Sequence, residues 1–211
     1  MFRSLAAVLV TLFVTENFVT ASVTAWTDVP VRVYDAVGLD AHTRQDALDL
    51  ARTALSGASV EITWHVCVVA TVQSAPCDAR LAPGELSIRI VSAPVRQETS
   101  GSLRLGDAFI DTYAGRGVLA TVYMDRVLRL ADRAGTEQHV LLGRAIAHEL
   151  GHLLLATTTH GPVGLMRAYW SQEEVRRGQP RDWTFAPTEL AAIRRRAEAI
   201  ERDARLAWGT R

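Results

Sequence analysis

The chain of 211 residues contains no lysine: all 23 basic residues are arginine, and they are matched by 23 acidic ones. The lysine absence reads as base composition of the gene. The zero net charge excludes the electrostatic footprint of a nucleic-acid-binding protein or of one held on an anionic membrane. Cysteine is nearly absent too, with only Cys67 and Cys77, so a four-cysteine metal site is excluded by count. In an exported chain these two can pair, and their spacing suits a strand end and the loop that leaves it. Repeats and low-complexity segments are missing. No apolar run approaches the ~20 residues that a membrane-spanning helix needs.

The apolar run at the N-terminus, Leu5–Val14 (LAAVLVTLFV), is about half that length. It follows the positive start Met1-Phe2-Arg3, ends at Glu16 and Asn17, and is succeeded by the small residues of Val23-Thr24-Ala25. This is the layout of a secretory signal peptide with cleavage before Trp26. The expectation is a signal peptide over 1–25, one domain over 26–211, and a secreted or periplasmic location. No cysteine follows the apolar run, which argues against a lipoprotein. No stable membrane insertion is expected after cleavage.

Hydrophobic residues make up 48% of the chain and charged residues 22%, the proportions of a soluble globular domain. Val31–Tyr34 reads as a short strand. Asp40 can cap a helix running to Ser56. Val60, Ile62, Trp64, Val66 and Val68 alternate with polar residues, and so do Leu86, Ile88 and Ile90; both segments read as strands. Gln97–Gly106 reads as a loop, Ala108–Ile110 as a short strand and Val118–Met124 as another. A short helix over Asp125–Ala134 ends at Gly135. Helical spacing then dominates, over Glu137–Ala156 and again from Pro187 through Leu190, Ile193, Ala197 and Ile200. The Arg194-Arg195-Arg196 run reads as a solvated face. This order predicts an α+β domain: a mixed twisted sheet packed against a long helix, with a mainly helical C-terminal part.

The long helix carries the chemistry. Within Ala147–Ala156 the sequence AHELGHLLLA places His148 and His152 one turn apart on one face, able to present both imidazoles to one metal ion. Glu149 stands beside them, where a carboxylate can take the proton of a water that such an ion activates. The surrounding residues are uncharged, and a His-Glu pair in so apolar a helix is costly to bury without a metal or partners. Three of the six histidines fall within residues 148–160. A third ligand cannot lie on the same helix, because at the standard rise residue 160 would stand ~12 Å beyond His152. The β-branched Thr157-Thr158-Thr159 disfavours helix, and Gly161-Pro162 follows, so His160 can turn back toward the ion. Glu173 and Glu174, in SQEEVRRG, are rival third ligands. His65 and His139 read as surface or strand residues.

Met166 follows His160 by six positions, behind a turn at Gly164. At this point the sequence resembles the metzincin class of zinc peptidases, whose signature is His-Glu-x-x-His-x-x-Gly-x-x-His followed by a methionine-containing turn. It is similar to exported bacterial proteins described as metzincin-like. His148, Glu149, His152, His160 and Met166 match in type and order over about residues 139–170. Two features depart: seven residues separate His152 from His160 where the class has five, and Leu155 stands where the class has its glycine. The resemblance implies a zincin-like catalytic domain. In it His148, His152 and His160 would bind Zn2+, Glu149 would be general base and then acid, and Met166 would pack beneath the site. Tyr169 could reach the metal, though a packed aromatic beside Trp170 is the simpler reading. The Val118–Met124 strand could pair with an extended substrate.

The function implied is that of an exported zinc metallopeptidase, probed by a peptide or protein substrate and expected to be a monomer. A non-catalytic zinc-site protein and a zinc hydrolase of non-peptide amides share the same ligands. Intact-mass measurement of protein recovered outside the cytoplasm, without reductant, is expected to give a chain starting near Trp26 with Cys67 and Cys77 joined. A retained Met1 would overturn the first expectation, and two free thiols the second.

Overall fold

The computed structural model describes residues 26–68, 76–94 and 104–209. The expected signal peptide and residues 97–103 of the expected loop lie outside the described residues. Strand β1 (Thr27–Asp35) leads into helix α1 (Ala41–Ser56) and strands β2 (Val60–Val68), β3 (Leu86–Val91), β4 (Gly106–Asp111) and β5 (Arg116–Tyr123). Helices α2 (Met124–Ala134), α3 (Gln138–Leu155), α4 (Gln172–Arg177) and α5 (Pro187–Gly209) follow, with a 3-10 turn at Pro180–Trp183 before α5. No helix among the described residues is long and apolar enough to cross a membrane.

The sheet order is β2-β1-β3-β5-β4. Four strands run parallel, and β4 alone is antiparallel, on the edge beside β5. Parallel neighbours require a crossover, and α1 supplies it between β1 and β2. The mixed sheet expected from the sequence is therefore present. One detail is corrected. The strand expected to accept an extended substrate, Val118–Met124, is β5, and it is hydrogen-bonded on both sides by β3 and β4. Its backbone has no free edge; β4 holds that position. The expected loop also ends earlier, because Gly106 already pairs with Val122.

One face of the sheet carries the core. Val29, Val31, Val33, Ile62, Ile88, Ile90 and Val122 meet Leu48 and Leu55 of α1 and Leu142, Ile146, Leu150 and Leu153 of α3, all essentially without solvent exposure. Asp40 caps α1 by accepting the Thr43 amide, as the sequence suggested. Ile193 and Ala197 of α5 complete the core.

The other face is polar and held by a buried ion pair. Arg32 of β1 donates from Nε and Nη2 to both carboxylate oxygens of Glu85, at 2.9 and 2.6 Å. Its Nη1 also reaches the Ala79 carbonyl at 2.6 Å. Ala79 and Glu85 belong to the segment that the Cys67–Cys77 disulfide ties to the end of β2, so the pair fastens that segment over β1. Burial opposes ionisation of Glu85, but the hydrogen bonds from Arg32 and the Ala82 amide outweigh it and hold the carboxyl below its ordinary range. A carboxyl lowered in the folded state contributes stability above its unfolded pKa, and this is lost as pH falls through the folded value. Glu85→Gln is expected to cost about 3–5 kcal/mol at neutral pH by leaving Arg32 uncompensated. In urea titrations across pH, the variant should also lose less stability than wild type on acidification below about pH 4.

Candidate metal centre

Helix α3 is buried on nearly every side, including its polar residues: His148, Glu149 and His152 are each at most 8% exposed. Each imidazole is oriented by a backbone carbonyl. His148 Nδ1 lies 2.8 Å from Leu165 O, and His152 Nδ1 lies 2.7 Å from Thr157 O. A carbonyl only accepts, so each Nδ1 carries the proton and each Nε2 presents a lone pair. These lone pairs converge. His152 Nε2 is 3.1 Å from His148 Nε2 and 3.2 Å from His160 Nε2. Burial, the largest cause, lowers all three imidazoles in pKa, His148 to about 3.

Two bare helical Nε2 lone pairs facing each other, with His160 Nε2 beside them, are a set of nitrogens suited to hold a cation. Nitrogens bound to a tetrahedral zinc at 2.0–2.1 Å stand ~3.3 Å apart, close to the two spacings from His152 Nε2. Nδ1–H donation to carbonyls is also the arrangement that fixes metal-binding histidines. The three ligand atoms form the one cluster of this kind among the described residues, and the residues present fit a metal ion. Neither rival glutamate joins it. Glu174 accepts from the Ser171 amide and hydroxyl in a capping box and pairs with Arg167. Glu173 pairs with Arg176. His65 lies on β2 beside Glu85, and His139 is in the first turn of α3; both are outside the cluster.

The chain reaches His160 by a route the sequence did not reveal. Helix α3 continues through Leu155, and the residue that turns the chain is Ala156, with φ 50°. The Ala156 amide bonds to Leu153 O and the Thr157 amide to His152 O, a Schellman closure. The left-handed residue therefore comes one position after the place where the class has its glycine, and the longer spacing to His160 accommodates it. The same closure leaves Thr157 O free to hold His152. A left-handed alanine costs about 1–2 kcal/mol, whereas glycine gives back about 0.5–1 kcal/mol in chain entropy. Ala156→Gly is thus expected to stabilise the protein by about 0.5–1 kcal/mol in urea unfolding, without loss of bound metal.

Met166 lies beneath the cluster at 1% exposure. It packs on Gly151, where an added Cβ would come within 2.5 Å of Met166 Sδ and 2.7 Å of the Phe185 ring. Its turn needs Gly164, at φ 73° and with no room for a Cβ beside Thr184 O. The turn supports the ligands directly: the Leu165 amide bonds to Thr184 O, and Leu165 O orients His148. Trp170 stands edge-on to His148 at 5.5 Å. Tyr169 departs from the packed role expected of it. It is 56% exposed and lines the cleft.

That cleft, about 420 Å³, opens between β4 and the Met166 segment, and His148, Glu149, His152 and His160 all line it. Glu149 projects toward β4 at Gly106, where a Cβ would lie 2.5 Å from Glu149 Oε1. Its Oε2 has no hydrogen-bond partner among the described residues. Burial first, and Asp107 second, push Glu149 up to about 8. Gly106 and Arg104, both in the cleft lining, were not singled out from sequence. Gly106 acts across more than forty positions, which no local pattern reports.

No protein-family model matches the sequence, and no curated protein does. Solved structures do. Archaemetzincin from Methanopyrus kandleri is similar with a TM-score of 0.55 at 17% identity, over 82% of this chain and 97% of that one. Metalloproteinase-II from Bacteroides fragilis is similar with a TM-score of 0.50 at 13% identity, over 82% of this chain and 55% of that one. The chain shares the fold of these two proteins.

Proposed function

We propose that this protein is a zinc-dependent peptidase in which His148, His152 and His160 hold the metal and Glu149 moves the proton. The observation that carries the reading is the convergence of three histidine Nε2 atoms, two of them fixed as lone pairs by backbone carbonyls, beside a buried carboxylate with an unpartnered oxygen, in an open cleft. The fold, shared at low identity with an archaemetzincin and a metalloproteinase, supports it. Zinc bound there would polarise a substrate carbonyl and lower the pKa of a water to about 7.

The residues of this chain supply the rest. The carbonyls of Leu165 and Thr157 hold the two helical imidazoles in the tautomer that binds metal. Glu149, held against Gly106, accepts a proton from the attacking water as the carbon–oxygen bond forms. It then delivers that proton to the amine nitrogen as the carbon–nitrogen bond breaks. A buried carboxylate with one unpartnered oxygen facing the cleft is suited to both transfers. His160, the more exposed ligand, leaves the cleft side of the site accessible to substrate.

Glu149→Gln retains size and an oxygen but cannot take the proton. It is expected to keep its zinc, measured by elemental mass spectrometry, while peptide cleavage falls by about 10²–10⁴. Zinc content should drop sharply in His160→Ala and persist in Glu173→Ala and Glu174→Ala. Unchanged hydrolysis in Glu149→Gln would remove the role given to Glu149. Zinc-loaded protein that cleaves no member of a diverse peptide library would favour a binding or structural metal site. Export as a mature chain beginning near Trp26 belongs to the same proposal.

A further inference from the structure

The cleft contains a cation that the hydrolysis does not use. Arg104 lines it together with the three histidines and Glu149. Its backbone is fixed at the threshold of β4: Arg104 O accepts from Arg126 Nη1 at 2.8 Å, and Leu105 O accepts the Tyr123 amide at 2.8 Å. The chain is thus aligned with β5 before β4 begins, and in extended chain residues 104 and 106 share a face. That face is the one Gly106 turns to Glu149. Arg104 borders the same volume as Glu149 and His160.

The other acidic and basic side chains that line the cleft, Glu149 aside, are engaged. Arg167 pairs with Glu174. Asp107 accepts the Tyr123 hydroxyl. Arg104 is exposed, and its guanidinium has no ion-pair or hydrogen-bond partner among the described residues. A guanidinium presents a planar fork that matches a carboxylate with two parallel hydrogen bonds. A metal ion in the adjoining site adds positive charge and repels basic groups.

We propose that Arg104 binds a carboxylate of the substrate close to the scissile bond, so that the cleft selects peptides with an acidic side chain or a free C-terminus at that place. This rests on the peptidase reading for the identity of the ligand as a peptide, but it is tested by binding. The zinc-loaded Glu149→Gln protein, which holds peptides without cleaving them, is titrated with three fluorescent peptide sets. One has internal Asp or Glu and an amidated C-terminus, one is neutral with a free C-terminus, and one is neutral and amidated.

Carboxylate-bearing peptides are expected to bind about 10- to 100-fold tighter than neutral amidated ones. Adding Arg104→Gln should erase the difference, and Arg104→Lys should restore part of it. Preference for the first set assigns an acidic side chain, and preference for the second assigns the C-terminal carboxylate. Arg104 is exposed, and unchanged urea midpoints in its variants verify folding. Equal affinity for all sets, a preference that survives Arg104→Gln, or no measurable binding of any carboxylate peptide overturns the proposal. If active protein cleaves nothing while the Arg104-dependent preference holds, the peptidase reading falls and the carboxylate site stands. If it cleaves neutral and acidic peptides alike with no preference in binding, the reverse follows.

Discussion

Two imidazole nitrogens with lone pairs directed at each other cannot stabilise a fold by themselves. This unfavourable meeting is the constraint around which the rest of the structure is arranged. It persists only because each helical imidazole is held from behind by a backbone carbonyl, one before the buried methionine and one after the helix end. Those carbonyls are themselves positioned by a Schellman closure and by the hydrogen bond between Leu165 and Thr184. The geometry is therefore set by backbone, which is stiffer than any side-chain partner would be. A metal ion entering such a site meets ligands already oriented, so little ordering remains to oppose binding.

The scaffold separates rigidity from access. The apolar face of the sheet and helix α3 form the packed core, and the polar face is fastened independently by Arg32, Glu85 and the disulfide. The cleft lies at the boundary, between edge strand β4 and the irregular chain after α3. One wall thus comes from the sheet and the other from the turn around Met166. This lets residues as distant in sequence as Arg104 and Tyr169 face the same volume.

Much of the site was legible in the sequence because helical geometry is local. The His148–His152 spacing, the neighbouring Glu149 and the breaking of the helix before His160 all follow from 3.6 residues per turn and from β-branched crowding. Strands β2 and β3 were legible from strict alternation. Strand β1 is longer than its expected core, because Thr27 and Asp28 do not look like strand residues yet pair with Val60 and Glu61. Strand β4 was blurred by its short polar sequence and by the irregularity between Phe109 and Ile110. What remained hidden was long-range. Neither the partner of Arg32, 53 positions away, nor the reason for Gly106 leaves any periodic trace. The interior placement of β5 depends on strand order, which alternation does not encode. Ala156 was hidden for another reason: a non-glycine residue occupies a left-handed position because the surrounding hydrogen bonds over-determine it.

The burial of Met166 has a chemical consequence for a protein expected in an oxidising medium. A thioether exposed to peroxide becomes a sulfoxide, larger and polar. Here the sulfur is wedged against Gly151, with solvent contact reduced to 1% for the whole residue, so oxidants reach it only when the turn lifts away from α3. Sulfoxide formation at this position would then count the openings of the ground beneath the three histidines, and each event would leave a polar oxygen that the closed turn has no room to take back.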